Sequence, residues 1–242
     1  MLLKNNQILV CLGNSITEQG EQPQGYVSIM RKALHLLYPD DIFIIINSGI
    51  SGNKSTDMNA RFQEDVLDYK PDWVIISVGI NDVWHGFYDN HPKGDGPRGI
   101  PLSLFMEKLT DMIQQANTNK VHVALFTTTV IKEDLTSPEN KKLKEYNQTI
   151  RDLAVKFGCL LIDQNSAFQA ALKPTQKSEM ALSGRLTSDG VHMLPTGNWL
   201  MARTALTSFG VPNADFDNEK SKIDSLIHLE ERSQILRHSP HK

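Results

Sequence analysis

The chain has 242 residues, enough for one sizeable α/β domain and marginal for two. Its 40% hydrophobic and 22% charged content is that of an ordinary globular protein. A formal net charge of −3, with no basic cluster interleaved with aromatics, argues against a nucleic-acid partner, and no apolar run approaches the roughly 18 residues of a membrane span.

The opening residues Met1 to Asn6 lack the apolar stretch and small-residue cleavage site of a secretory signal, so a cytoplasmic location is expected. An apolar run then follows, Ile8-Leu9-Val10-Cys11-Leu12, which reads as a buried strand. It ends in Gly13-Asn14-Ser15-Ile16-Thr17, where the glycine lets the backbone turn and Ser15 emerges at the carboxyl edge of the strand. Ligands of open α/β sheets collect at that edge. Alone, a Gly-x-Ser after a strand reads more readily as a turn in which the serine caps a helix. The polar stretch from Thr17 to Gln24 predicts a loop, and Val27, Met30, Ala33, Leu34 and Leu37 predict a helix over about 26–37, ended by Pro39.

A continuous β-branched strand is expected at Ile42 to Ile46, as for an interior parallel strand. Asn47-Ser48-Gly49-Ile50-Ser51-Gly52-Asn53 then predicts a loop of unusual dihedrals, with Ser55 or Thr56 capping the helix that carries Met58, Phe62, Val66 and Leu67. The third strand, Trp73 to Val78, leads into Gly79-Ile80-Asn81-Asp82-Val83-Trp84. From His85 to Pro101 the chain is rich in Gly, Pro, Asp and His without periodicity, and is expected to form a mobile rim of the site.

Helices are expected at about 102–116 and 138–157, strands at Val121 to Phe126 and Cys159 to Asp163, and a last core helix at about 197–209. An irregular passage from Lys173 to Asp189 ends in Asp189-Gly190-Val191-His192. Ile223, Leu226, Ile227 and Ile235-Leu236 give the charged tail from Asp215 to Lys242 an amphipathic helical pattern, packed on its own domain (1–214) or on a neighbouring subunit. Cys11 and Cys159 read as reduced core thiols, and the eight histidines show no metal-ligand spacing. Strands alternating with helices imply parallel βαβ units and a three-layer α/β/α sandwich whose strand ends share one edge.

Acyl transfer by a serine needs a base for its proton, a group that orients the base, and donors for the developing oxyanion. Ser15, His192, Asp189 three residues before it, the backbone N–H groups of Ser15 and Gly52, and the amide of Asn81 meet those needs at successive βα edges. Each is a modest signal alone; their coincidence carries weight.

Gly13-Asn14-Ser15-Ile16-Thr17, Gly52, Gly79-Ile80-Asn81-Asp82 and Asp189-Gly190-Val191-His192 resemble, in order, the four signature blocks of the SGNH/GDSL hydrolases. The resemblance implies Ser15 as nucleophile, His192 as base, Asp189 as its partner, and Gly52 and Asn81 as oxyanion donors. It also implies a flavodoxin-like fold, commonly five parallel strands in order 2-1-3-4-5, with no metal or organic cofactor. Asn14 departs from the family's usual Asp in the first block. Within the family, Asn47 to Asn53, Lys70 to Trp84, Gly25-Tyr26-Val27 and Arg61 to Val66 are most similar to intracellular acetylxylan esterases. That likeness implies a small acetylated saccharide, or another ester, as substrate, and makes a homo-oligomer plausible. Asn14, Asp82 and Trp84 are candidates for substrate contact, Trp84 by stacking on a sugar face or by packing under the long loop.

Overall fold

The computed structural model describes residues 1–173 and 183–238. Five strands, β1 (Ile8–Gly13), β2 (Ile44–Gly49), β3 (Trp73–Ser77), β4 (His122–Phe126) and β5 (Leu160–Ile162), form one parallel sheet in the order β2-β1-β3-β4-β5. The α-helices are α1 (Ser15–Gln19), α2 (Tyr26–Leu37), α3 (Ser55–Ala60), α4 (Phe62–Asp65), α5 (Ile80–Trp84) and α6 (Leu102–Thr118). Then come α7 (Pro138–Phe157), α8 (Gln164–Leu172), α9 (Pro195–Ser208), α10 (Asn213–Asn218) and α11 (Lys220–His238).

Helix contacts fall into two groups, α2 with α9 and α9 with α8, against α3 with α6 and α6 with α7. One group covers each face of the sheet, which is the expected flavodoxin-like three-layer sandwich. Covered on both faces, the inner strands β1 and β3 are apolar along their length rather than alternating. Leu9, Val10, Cys11 and Leu12 are fully buried beside Val74, Ile75 and Ile76, in register Val10 to Val74 and Cys11 to Ile75. Burial pushes the Cys11 thiol up to about 12, so it is an inert core group.

Local signals place the helix ends well. α7 begins where the Ser137 hydroxyl accepts the Asn140 N–H at 3.2 Å, has Pro138 in its first turn, and stops at Gly158. The described part of the tail is helical too: α11 lies on α2, with Ile223 buried and an ion pair of 2.6 Å from Lys32 to Glu230. The side chains of Ile235 and Leu236 lie outside what is described, as do residues 174–182 of the expected irregular passage.

Four expectations need correction. β2 runs from Ile44 to Gly49, so Asn47, Ser48 and Gly49 are paired with Cys11, Leu12 and Gly13 instead of forming a loop. Asn47 serves the strand by donating to the Thr17 carbonyl at 2.6 Å and accepting the Gly49 N–H at 2.9 Å. The loop expected from Thr17 begins inside α1. Neither Ser55 nor Thr56 caps α3; Lys54 occupies that position and Ser55 is the first helical residue. The passage from His85 to Pro101, expected as a mobile rim, is tied down by Gly96 N–H to the Gly86 carbonyl (2.9 Å), Ile100 N–H to the Asp82 carbonyl (3.0 Å) and the Tyr146 hydroxyl to the Ile100 carbonyl (2.6 Å). Helix α8 was not anticipated, because its polar sequence buries only Phe168 and Leu172 as large apolar groups.

Candidate active site

The turn after β1 is set by packing. A Cβ at Gly13 would be driven into the Thr17 side chain, so the glycine answers a lack of space. The cap of α1 is Asn14, whose side-chain oxygen accepts the Ile16 N–H at 3.1 Å. Ser15 is thereby released from the capping role and stands as the first helical residue, at the carboxyl edge of an inner strand.

His192 reaches Ser15 across the sheet edge, Nε2 to Oγ at 2.9 Å, and its Nδ1 lies 2.6 Å from Asp189 Oδ2. A carboxylate only accepts, so Nδ1–H donates to Asp189, and the tautomer this selects is the one whose Nε2 accepts from the serine O–H. Asp189 Oδ1 accepts the N–H groups of Val191 (2.9 Å) and His192 (2.8 Å). Partial burial works against its charge, but the imidazole and these two N–H groups outweigh it and hold the Asp189 carboxyl below its usual value.

The arm that carries this pair is irregular and needs an anchor. Glu133, buried between β4 and α7, supplies it: Oε1 accepts the N–H groups of Leu186 (2.7 Å) and Thr187 (2.8 Å) and the Thr187 hydroxyl (3.0 Å). Its other oxygen faces the Arg185 N–H at 3.1 Å. Sequence reading missed this residue, since a lone Glu in an aperiodic stretch carries no signal that its partners are backbone groups 52 to 54 positions away.

The donor candidates sit on adjoining segments. Gly52 occupies the third position of a turn closed by Asn53 N–H to the Ile50 carbonyl (3.3 Å), with φ +80°, which disfavours any side chain. That loop is joined to the nucleophile turn by Ile50 N–H to the Gly13 carbonyl at 3.1 Å. Asn81 is buried and donates one amide hydrogen to the Asn53 carbonyl at 3.0 Å, leaving a second for an incoming group.

Two of the residues expected to touch substrate do other work. Asn14 is buried and capping α1. Asp82 is buried as well, its Oδ1 accepting the Ser55 N–H (3.0 Å) and hydroxyl (2.5 Å), and burial pushes its carboxyl up to about 6. Polar residue type says nothing about whether a partner is solute or backbone. Trp84 is half-buried in an aromatic group, with Tyr88 edge-on at 5.5 Å, His85 stacked on Tyr88 at 5.0 Å and the Arg98 guanidinium 4.7 Å above the Tyr88 ring. This group borders the site: burial raises the Tyr88 hydroxyl, Arg98 opposes the shift, and the charge of Asp189 adds to it. Among the described residues, no three His, Cys, Asp or Glu side chains gather as a metal would require, and no helix is long and apolar enough to cross a membrane.

A hydroxyl, an imidazole and a carboxylate in a hydrogen-bonded line at the strand ends of a five-stranded parallel sheet define a carboxylic ester hydrolase of the serine type. The GDSL-like lipase/acylhydrolase family model matches residues 11–200, and the chain belongs to that family. An acetylxylan esterase of Geobacillus stearothermophilus is 28% identical over 221 residues, covering 87% of this chain and 97% of the relative. The crystal structure of Axe2, an acetylxylan esterase from the same organism, superposes with a TM-score of 0.77 at 28% identity, over 88% of this chain and 98% of that one. The acetyl xylan esterase AlAXEase superposes with a TM-score of 0.75 at 31% identity, over 83% of this chain and 98% of that one.

Proposed function

We propose that this protein is a serine acetylesterase that removes acetyl groups from saccharides of the xylo-oligosaccharide kind. The observation that carries the reading is the unbroken line from Asp189 through His192 to Ser15, at 2.6 and 2.9 Å, at the edge where the donor loops also end. The similarity to acetylxylan esterases supports the substrate class.

In this reading the Ser15 hydroxyl attacks the acetyl carbonyl while His192 Nε2 takes its proton. Asp189 keeps the ring in the tautomer that accepts, and stabilises the imidazolium that forms. The tetrahedral oxyanion is held by the N–H groups of Ser15 and Gly52 and by the free amide hydrogen of Asn81, each such donor being worth about 2.7–4 kcal/mol. His192 then returns the proton to the leaving sugar oxygen as the C–O bond breaks, which leaves an acetyl-Ser15 ester. Water, deprotonated by the same imidazole, releases acetate and restores the serine. The polar rim from His85 to Pro101 suits a small acyl group on a polar alcohol better than a long chain.

The test is acetate release from acetylated xylo-oligosaccharides by wild type and by Ser15→Ala and His192→Ala. Each variant should lose turnover by at least about a thousandfold while keeping its circular-dichroism spectrum. More than a few per cent of wild-type turnover in either folded variant overturns the mechanism. Faster cleavage of a p-nitrophenyl octanoate than of the acetate overturns the substrate class and leaves a lipid esterase.

A further inference from the structure

Arg61 stands between α3 and α4 and turns most of its guanidinium to partners outside both helices. Nε donates to the Asn53 side-chain oxygen at 2.7 Å, and Nη2 donates to the carbonyl oxygens of Gly13 and Ser48, both at 2.9 Å. Nη1 pairs with Asp65 at 2.5 Å, and the side chain is only 13% exposed. These partners are not scattered. Gly13 is the last residue of β1, two before Ser15; Ser48 is the last residue but one of β2, which runs into the Gly52 turn; and Asn53 follows Gly52 directly. The backbone carbonyl of Asn53 in turn accepts the amide of Asn81 at 3.0 Å. One planar group therefore touches the backbone of the nucleophile turn and the Gly52 loop, and reaches the third donor through a single residue.

We propose that Arg61 is a positioning residue that holds the N–H groups of Ser15 and Gly52 and the Asn81 amide in one register, so that the three donors converge on the oxyanion. The proposal rests on the esterase reading above. The fork of fixed N–H vectors is what the task requires, because the acceptors lie on three separate segments and must be fixed in direction as well as distance. A lysine places one compact charge there and meets one acceptor well. Displacement of a reacting or stabilising group by about 1 Å costs on the order of a hundredfold in rate, and the loss falls on the chemical step, not on ground-state binding.

The experiment compares wild type with Arg61→Lys, Arg61→Ala and Asn53→Ala on p-nitrophenyl acetate, with active sites counted by exhaustive labelling with a fluorophosphonate. Turnover per labelled site should fall about 30- to 100-fold in Arg61→Ala with KM within about twofold, and about tenfold in Asn53→Ala, which keeps the guanidinium but frees the Gly52 loop. Arg61→Lys should fall between them, and millimolar methylguanidinium should restore part of kcat in Arg61→Ala. A clamp that merely stabilises the fold gives a different pattern: fewer labelled sites and a lower Tm, but wild-type turnover per site and no rescue. That pattern overturns the proposal. Should Arg61→Ala fail to fold, undiminished turnover per site in Asn53→Ala overturns it instead. Absence of both labelling and turnover in wild type overturns the esterase reading itself, and is told apart by the wild-type control.

Discussion

Ser15 and His192 lie 177 positions apart and meet at 2.9 Å, yet the two segments that bring them there are built differently. The serine side is regular structure throughout: an inner strand, a side-chain cap and a helix, with Gly13 and Thr17 in steric contact. The histidine side is an irregular arm with an antiparallel bridge, Thr187 to Met193, held from below by the Glu133 carboxyl group. In the first, geometry follows from elements that the core would form anyway. In the second, it depends on one buried carboxyl group whose partners are backbone N–H groups and a hydroxyl. Outside the Arg61 clamp the serine side should therefore tolerate local change, and the histidine side should fail at its anchor.

The sharpest way to break the contrast is Glu133→Ala. Three backbone N–H groups and a hydroxyl lose their acceptor, and each buried donor left unpaired costs about 1–3 kcal/mol, so a loss of about 3–5 kcal/mol is expected after partial relaxation. Activity per folded molecule should drop by about a hundredfold or more as His192 leaves the serine. Urea unfolding and kcat/KM on the same preparation check both numbers. Lost stability with intact kcat/KM would show that Asp189 and the backbone hold the imidazole without the anchor.

A smaller effect is expected at Asp82, which belongs to the serine side because it pins the first turn of α3 through Ser55. Burial raises its carboxyl to about 6, above the unfolded value near 4. Between those values the folded state holds more protons than the unfolded one, so this group's contribution to stability falls as pH rises from about 4 to about 6 and then levels off. A shift of about two units corresponds to about 2–3 kcal/mol. Asp82→Asn keeps an oxygen for Ser55 and removes the titration. Its stability relative to wild type should climb by about that amount from pH 4 to pH 7, read from Tm at each pH. A difference that stays flat with pH shows that the carboxyl does not titrate in that window.

The same contrast explains what could be read from the chain. Elements bounded by local chemistry are legible: α2 by its apolar spacing, and α7 over 138–157, whose ends the structure sets at Ser137-Pro138 and Gly158. β2 was misplaced because its last residues, Asn47-Ser48-Gly49, have turn composition but pair with β1, and tertiary pairing overrode local preference. At the site, Ser15, Asp189 and His192 stood out because sequence spacing already encodes their relation to a turn or to each other. Glu133 and Arg61 work through backbone groups far along the chain, which no pattern of side chains encodes. Asn14 and Asp82 read as candidates for substrate contact because polarity at a sheet edge invites it, while the structure spends them on a helix cap and a tie to the first turn of α3.

The least disruptive test lies at Asn14 itself. An aspartate there keeps the oxygen that accepts the Ile16 N–H and adds a negative charge at the start of α1, one residue from the proposed nucleophile. If the serine side owes its geometry to packing and capping, the charge changes little. Asn14→Asp should leave kcat/KM within about tenfold, or about 1.4 kcal/mol, of the parent. A negative charge one residue from Ser15 favours the imidazolium that forms on attack and disfavours the oxyanion, so the two contributions pull in opposite directions. A hundredfold change in either direction, measured with p-nitrophenyl acetate across pH, would mean that one of those two terms dominates. The position would then belong to the chemistry and not to the cap.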